Sequence, residues 1–320
     1  MRFFYVRRAC AYCASSSLST LEKRSLTMKK SKAEGNLRFV LPKGSLGPKC
    51  RFFLGRAGYR LNDPDRSGYM GTAIGVDFFE RDRRMIPSHI EKSFDAGIAG
   101  KDLVLASGIR ELRVIEDLQF SRKTNLAVRW VLANSRGLMP DGSIAIGTEY
   151  PVLAQVLLSC EKTKLDYTIV ELEGNEEQAI RDGLCDAILV VTETGDSIRQ
   201  AGLKIIEEFD NLLVSCPQII AKPYLSEGKE RSLQMLSVAL RGAVLADGRK
   251  MVTFDIRKDA IDMLSLPSEI GMSVLDIPKP PGWAAGQICI TTESLPSVLL
   301  QLKEAGAVGI VISDPVGYLP

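Results

Sequence analysis

Short apolar runs separated by amphipathic stretches dominate the chain from Leu37 onward. Residues 37–41, 74–79, 95–100, 126–132, 144–147, 167–172 and 187–191 carry four to seven mainly apolar or small positions each, which is strand length. Between them, residues 46–57, 87–93, 151–160 and 176–181 place apolar positions at helical spacing, and Gly58 sits where a helix would stop. Strands alternating with helices predict α/β layers with largely parallel sheets. Residues 211–220 read as one more strand and 227–246 as a long amphipathic helix. The rhythm then changes. Strands at 250–255, 283–291 and 308–312, with helices at 258–264 and 295–305, suggest a smaller α+β unit of ferredoxin-like or regulatory type.

One segment adds chemistry to this pattern. The apolar strand 187–191 runs into Thr192, Glu193, Thr194, Gly195, Asp196 and Ser197, and then into a helix. A strand–turn–helix unit aims backbone N–H groups at one point, which suits a phosphate. Thr192, Thr194 and Ser197 add hydroxyls, while Gly195 permits close approach. Glu193 and Asp196 suit a phosphate site only if a ribose hydroxyl or Mg²⁺ is held there too. An ordinary βα turn capped by a hydroxyl fits the same residues.

Composition narrows the chemistry. The chain of 320 residues is 45% hydrophobic and 25% charged, with a net charge of +2. No basic stripe marks a nucleic-acid surface, and no apolar run approaches the ~20 residues of a spanning helix. With His89 the single histidine, a histidine-based zinc site or a Ser-His-Asp triad is nearly excluded. The cysteines, Cys10 and Cys13 apart, lack metal spacing and read as small buried hydrophobes of a reducing compartment. Residues 1–35 are different: Arg2, Arg7, Arg8, Lys23, Arg24, Lys29, Lys30 and Lys32 face only Glu22 and Glu34, beside Ser15, Ser16 and Ser17. Such a leader suits an organelle transit peptide, a disordered tail, or sequence upstream of a start at Met28. Location is accordingly expected to be cytoplasmic, or plastid or mitochondrial if the leader is a transit peptide.

Six short motifs in order carry a resemblance. They are Pro42-Lys43-Gly44; Asp95 to Gly100 followed by Lys101-Asp102; Gly147-Thr148-Glu149-Tyr150-Pro151; Gly174 to Ala179; the Asp186-Ala187-Ile188 strand opening; and the Thr194-Gly195 turn. Together, from Leu37 to the C-terminus, they resemble long-form ATP phosphoribosyltransferase of histidine biosynthesis. Six positions depart from the family pattern: Ser45 stands where arginine is usual, Gly147 where alanine is usual, Val190 where the loop strand usually has aspartate, Ser197 and Ile198 where Thr-Leu is usual, and Ala201 where asparagine is usual.

The resemblance implies transfer of a phosphoribosyl group from phosphoribosyl pyrophosphate to N1 of ATP, with Mg²⁺ on the departing pyrophosphate. It implies a two-lobed catalytic region like type II periplasmic binding proteins. Residues 36–127 plus 204–225 would form lobe I, 128–203 lobe II, and 226–320 a regulatory domain with histidine as inhibitor. A homo-oligomer, dimer or hexamer, is implied as well. Phosphoribosyl pyrophosphate is assigned to residues 192–197, and ATP to Lys43, Gly44, Lys101, Thr148, Glu177 and Asp186. Ser45 and Val190 keep a second reading open, a non-catalytic binding or regulatory subunit on the same scaffold.

Overall fold

The computed structural model describes residues 35–121, 127–140, 142–159, 165–266, 271–278 and 280–320. The leader up to Glu34, with Cys10 and Cys13, and Cys160 lie outside these residues. From Leu37 the chain runs β1 (Leu37–Pro42), α1 (Gly47–Arg56), β2 (Tyr69–Ala73), β3 (Val76–Arg81), α2 (Ile86–Lys92), β4 (Ala96–Gly100), α3 (Lys101–Ser107) and β5 (Arg113–Asp117). It continues through β6 (Val128–Asn134), β7 (Ile144–Thr148), α4 (Pro151–Ser159), β8 (Tyr167–Glu171), α5 (Glu176–Arg181), β9 (Ala187–Thr192), α6 (Asp196–Gln200), β10 (Lys204–Ile205), β11 (Leu213–Ser215) and β12 (Pro217–Ala221). The remainder is α7 (Glu227–Ala246), β13 (Arg249–Arg257), β14 (Met272–Ile277), β15 (Trp283–Thr291), α8 (Leu295–Glu304) and β16 (Val308–Ser313).

These strands form three sheets. The first has the order β2-β3-β1-β4-β12-β5, and the second β10-β6-β9-β7-β8 with β11 also on β6. Among the described residues parallel pairing is confined to β1 with β3 and β4, and to β7 with β8 and β9. The sheets are therefore mixed rather than largely parallel, because short returns such as β12 and β6 run against their neighbours. The third sheet, β14-β15-β13-β16, is antiparallel throughout.

The chain passes from the first sheet to the second after β5 and returns at Cys216. The expected single strand over 211–220 is thus two. Leu213–Ser215 pairs with β6, and Pro217–Ala221 inserts between β4 and β5. Proline lacks an amide hydrogen and marks the start of the new strand. Residues 204–215, expected to return to lobe I, instead add β10 and β11 to the second sheet.

Helix α7 also departs from expectation. Its Leu233, Leu236, Leu240, Ala243 and Val244 share one core with Phe39, Phe53 and Phe78 of the first sheet and its covering helix. The helix is pinned at its start by Lys229 on Asp95 (2.8 Å) and Arg113 on Glu230 (2.7 Å). Gly97 of β4 explains one motif glycine: a Cβ there would lie 2.5 Å from the Val40 carbonyl oxygen of β1. Cys50 and Cys185 are buried, as small hydrophobes should be, while Cys216 and Cys289 are half-buried. Burial pushes the Cys50 thiol up to about 12, so it stays protonated and inert.

Candidate active site

The ends of β1, β4 and β9 bring three chain segments to one cleft between the first two sheets. Its first chamber, about 290 Å³, is lined by Pro42 and Ser45 after β1, by Gly100 and Asp102 after β4, and by most of the 192–197 loop. A second chamber of about 250 Å³ adds Trp130, Glu149, Tyr150, Glu176, Glu177 and Val190. Arg83, Asp102, Leu103, Val191 and Ser197 line both.

The loop is held in shape by its own side chains. Thr192 is buried, and its hydroxyl accepts from the Gly195 amide at 2.8 Å. Gly195 takes a φ of +77°, in the left-handed region that favours glycine. Thr194 donates to Asp196 at 2.5 Å, and Arg199 pairs with the same carboxylate. Glu193 accepts from Ser121 in the segment that leaves the first sheet. Helix α6 is only five residues long, so its dipole is small.

Asp102 joins the two sides. Its carboxylate accepts from the Trp130 indole N–H of β6 at 3.1 Å, from Ser215 of β11 at 3.0 Å, and from the Leu103 amide at 3.0 Å. Gly100 makes room for it, since a Cβ there would meet Asp102 Oδ1 at 2.3 Å. A second bridge crosses at the other chamber. Arg84 pairs with Glu149 at 2.6 Å and lies 4.9 Å over the Tyr150 ring, while Arg83 donates to the Tyr150 hydroxyl at 3.2 Å.

The expected site residues divide clearly. Loop residues Thr192, Glu193, Thr194, Asp196 and Ser197 line the first chamber, and Glu177 the second. Lys43 and Gly44 occupy the turn between the lining residues Pro42 and Ser45, without lining the cavity themselves. Lys101 stands likewise between Gly100 and Asp102, its amide donating to the Cys216 carbonyl. Thr148 is fully buried: its hydroxyl donates to Leu189 O and accepts from the Tyr150 amide, which leaves it facing the fold rather than a nucleotide. Asp186 precedes β9, at the opposite end of that strand from the loop, and accepts from the Ala145 amide at 2.8 Å. Arg83, Arg84, Trp130 and Glu176 carried no sequence signal strong enough to place them here, because each acquires meaning only from its partner across the cleft.

Burial pushes the Glu176 carboxyl above its usual range, with Glu149 and Glu177 adding repulsion. A carboxyl raised on folding favours the native state most when protonated, and that contribution is lost as pH rises through its folded value. Glu176→Gln is therefore expected to raise the urea midpoint at a pH of about 8 and leave it unchanged at about 4. Paired denaturation curves at the two pH values check this.

Residues 83–242 match the family model described as HisG: ATP phosphoribosyltransferase, half of the chain. The chain belongs to the ATP phosphoribosyltransferase family. An ATP phosphoribosyltransferase of Nitratidesulfovibrio vulgaris (strain DP4) is 28% identical over 285 residues, spanning 86% of this chain and 95% of that protein. One from Salinispora tropica is 29% identical over 283 residues, spanning 87% and 98%. Among solved structures, an ATP phosphoribosyl transferase (HisG:HisZ) complex from Thermotoga maritima superposes with a TM-score of 0.54 at 24% identity, covering 64% of this chain and 96% of that one. It shares the mixed α/β fold. Of the chain's departures from the ATP phosphoribosyltransferase pattern, Ser45 lines the first chamber, Val190 and Ile198 the second, and Ser197 both. Gly147 is a packing exchange: a Cβ there would lie 2.7 Å from Leu172 and 2.8 Å from the Cys185 sulfur.

Proposed function

We propose that this cleft joins N1 of the ATP adenine to C1 of phosphoribosyl pyrophosphate with release of pyrophosphate, the first step of histidine biosynthesis. The observation that carries the reading is the family match itself, which takes in the whole 192–197 loop and Asp102, part of the lining of the first chamber. Residues 192–197 are assigned to phosphoribosyl pyrophosphate, its 5-phosphate resting on the loop's hydroxyls and amides. Glu177 is assigned to ATP in the second chamber, with Lys43, Gly44 and Lys101 at the rim for the polyphosphate. Thr148 and Asp186 are left as framework. The displacement needs positioning and neutralisation of the leaving group more than a strong base, which suits a cleft without histidine.

Mg²⁺ is read as arriving with the pyrophosphate it neutralises. Among the described residues no set of acidic side chains is grouped to hold a metal ion alone, and in the first chamber Glu193 and Asp196 are engaged by Ser121 and Arg199. Bound there, the metal would stabilise the charge on the departing oxygen.

We further read the two sheets as lobes of the type II periplasmic-binding-protein kind, and residues 249–313 as a ferredoxin-like module. Support for the latter is the strand order β14-β15-β13-β16 with α8 between β15 and β16. Histidine inhibition and homo-oligomer formation rest on the family likeness alone. Among the described residues no helix is long and apolar enough to cross a membrane.

The test is initial-rate assay with ATP, phosphoribosyl pyrophosphate, Mg²⁺ and pyrophosphatase, following ultraviolet absorbance of the N1-substituted adenine. Thr194→Ala with Ser197→Ala is expected to weaken phosphoribosyl pyrophosphate binding about tenfold, two modest hydrogen bonds' worth. Unchanged affinity would remove the loop from the site. The second reading, a non-catalytic subunit, is favoured by Ser45 and Val190 both standing on the cleft. Val190→Asp discriminates: restoring the loop-strand carboxylate should raise kcat/KM about tenfold if the chain is an enzyme working without it. Silence in both proteins, with ligands still bound, would favour the subunit.

A further inference from the structure

A second polar cavity lies outside the cleft. It measures about 440 Å³ and opens where the end of α1, the turn from α7 into β13, and the segment after β16 meet. Arg56, Arg249 and Lys250 converge on it, against Asp247 and Asp314. Arg56 pairs with Asp247 at 3.3 Å and also donates to the Pro315 carbonyl, and Lys49 approaches Asp247 from behind at 3.5 Å. Lys250 pairs with Asp314, whose side chain is 73% exposed and easily moved. Arg249 differs: among the described residues it has no carboxylate within ion-pair reach, and its guanidinium lies 4.6 Å over the Tyr318 ring. Among the described residues, with Lys49 included, four cations surround two carboxylates. The field shows on Asp314, whose carboxyl is held below its usual range by the Lys250 hydrogen bond and by the charges of Lys250 and Arg56.

We propose that this cavity binds a small dianionic oxyanion, a phosphate monoester or a dicarboxylate, between the first sheet's helices and the third sheet. Arg249 supplies a guanidinium fork, Lys250 becomes available as Asp314 swings outward, and Arg56 completes the set from α1. A forked guanidinium matches planar or tetrahedral oxyanions better than a point charge does. Because Arg56 belongs to the catalytic half and Lys250 to the third sheet, a bound anion would couple the two, each biasing the other's arrangement. The site is separate from the proposed transferase cleft and does not depend on that assignment.

The experiment is thermal unfolding of the full chain against rising inorganic phosphate, and separately succinate, with ionic strength held constant by chloride. A saturable rise in midpoint beyond the chloride control is expected with one or both probes. Phosphate acting alone identifies the monoester class, and succinate acting alone the dicarboxylate class. Made on the cleft variant Thr194→Ala with Ser197→Ala, Arg249→Gln should abolish the rise. Asp314→Asn, at an exposed position with little bearing on folding, should tighten binding severalfold by releasing Lys250. The cleft variant Thr194→Ala with Ser197→Ala should keep the rise, which separates this cavity from phosphate held in the cleft. No rise over chloride, a rise that survives Arg249→Gln on the cleft-variant background, or one lost in the cleft variant overturns the proposal. Should Arg249→Gln fail to fold, Asp314→Asn decides alone: unchanged or weakened affinity overturns it.

Discussion

Asp102→Ala is expected to lower kcat/KM by about two orders of magnitude and to cost about 2–4 kcal/mol of stability. The stability loss follows from what the carboxylate satisfies. Trp130 is 1% exposed, and its indole N–H has Asp102 as acceptor; without it the donor is buried and unpaired. Ser215 loses its acceptor in the same step. The activity loss follows from position. Asp102 lines both chambers, and its bonds to Trp130 and Ser215 fix α3 of the first sheet's half against β6 and β11 of the second. Asp102 is thus a positioning residue. Asp102→Asn should recover part of the stability, since an amide oxygen still accepts from Trp130, while its NH₂ can no longer accept from Ser215 or Leu103. Urea midpoints and initial rates on both variants check this. Loss of rate with an unchanged midpoint in Asp102→Ala would mean that the carboxylate meets substrate directly.

The candidate site was legible in the sequence where it is local and illegible where it is made by pairing. The 192–197 loop could be read because a strand, a glycine at positive φ and three hydroxyls lie within a few residues of one another. Asp102 was visible only as the residue after a motif. Its meaning comes from Trp130 and Ser215, which stand 28 and 113 positions away. The same is true of Arg84 and Glu149, separated by 65 positions. Thr148 misled for a related reason: a hydroxyl in a family motif reads as a ligand group, but here it caps the β7 end by bonding Leu189 and Tyr150.

The fold shows the same division. Strands such as β1, β9 and β15 carry their own apolar signature and were placed within a residue or so of their ends. Short polar strands were missed: β5, with the pattern Arg-Val-Ile-Glu-Asp, and β14, mostly exposed, have no continuous buried face. Periodicity reports burial, and these strands hold their place chiefly through hydrogen bonding to neighbours. Nor can periodicity say which sheet a strand joins, which is why 211–220 read as one strand. The amphipathic pattern of α7 likewise announced a buried face without saying what would bury it.

That last point has a large consequence. A chain ending at residue 225 should fail to fold, whereas one ending at residue 247 should fold and keep the cleft. Leu233, Leu236 and Leu240 are fully buried, and with Ala243 and Val244 they fill the core under the first sheet. Burying a leucine side chain contributes about 1.5–3 kcal/mol, so removing α7 costs on the order of 10 kcal/mol. A domain's whole stability is only about 5–15 kcal/mol. The half-buried pairs of Asp95 with Lys229 and of Arg113 with Glu230 would also lose their helix partners. Ending the chain at residue 247 removes the third sheet, whose own core of Val252, Phe254, Ile256, Ile288 and Ile290 is separate. What the longer fragment loses is smaller: the Tyr318 amide on Gly242, Leu319 against that glycine, and the Arg56 bond to Pro315. Circular dichroism and urea unfolding of the two fragments check this directly. A cooperative transition in the shorter fragment would show that α7 covers the first sheet without holding it together, and would return the helix to the C-terminal module.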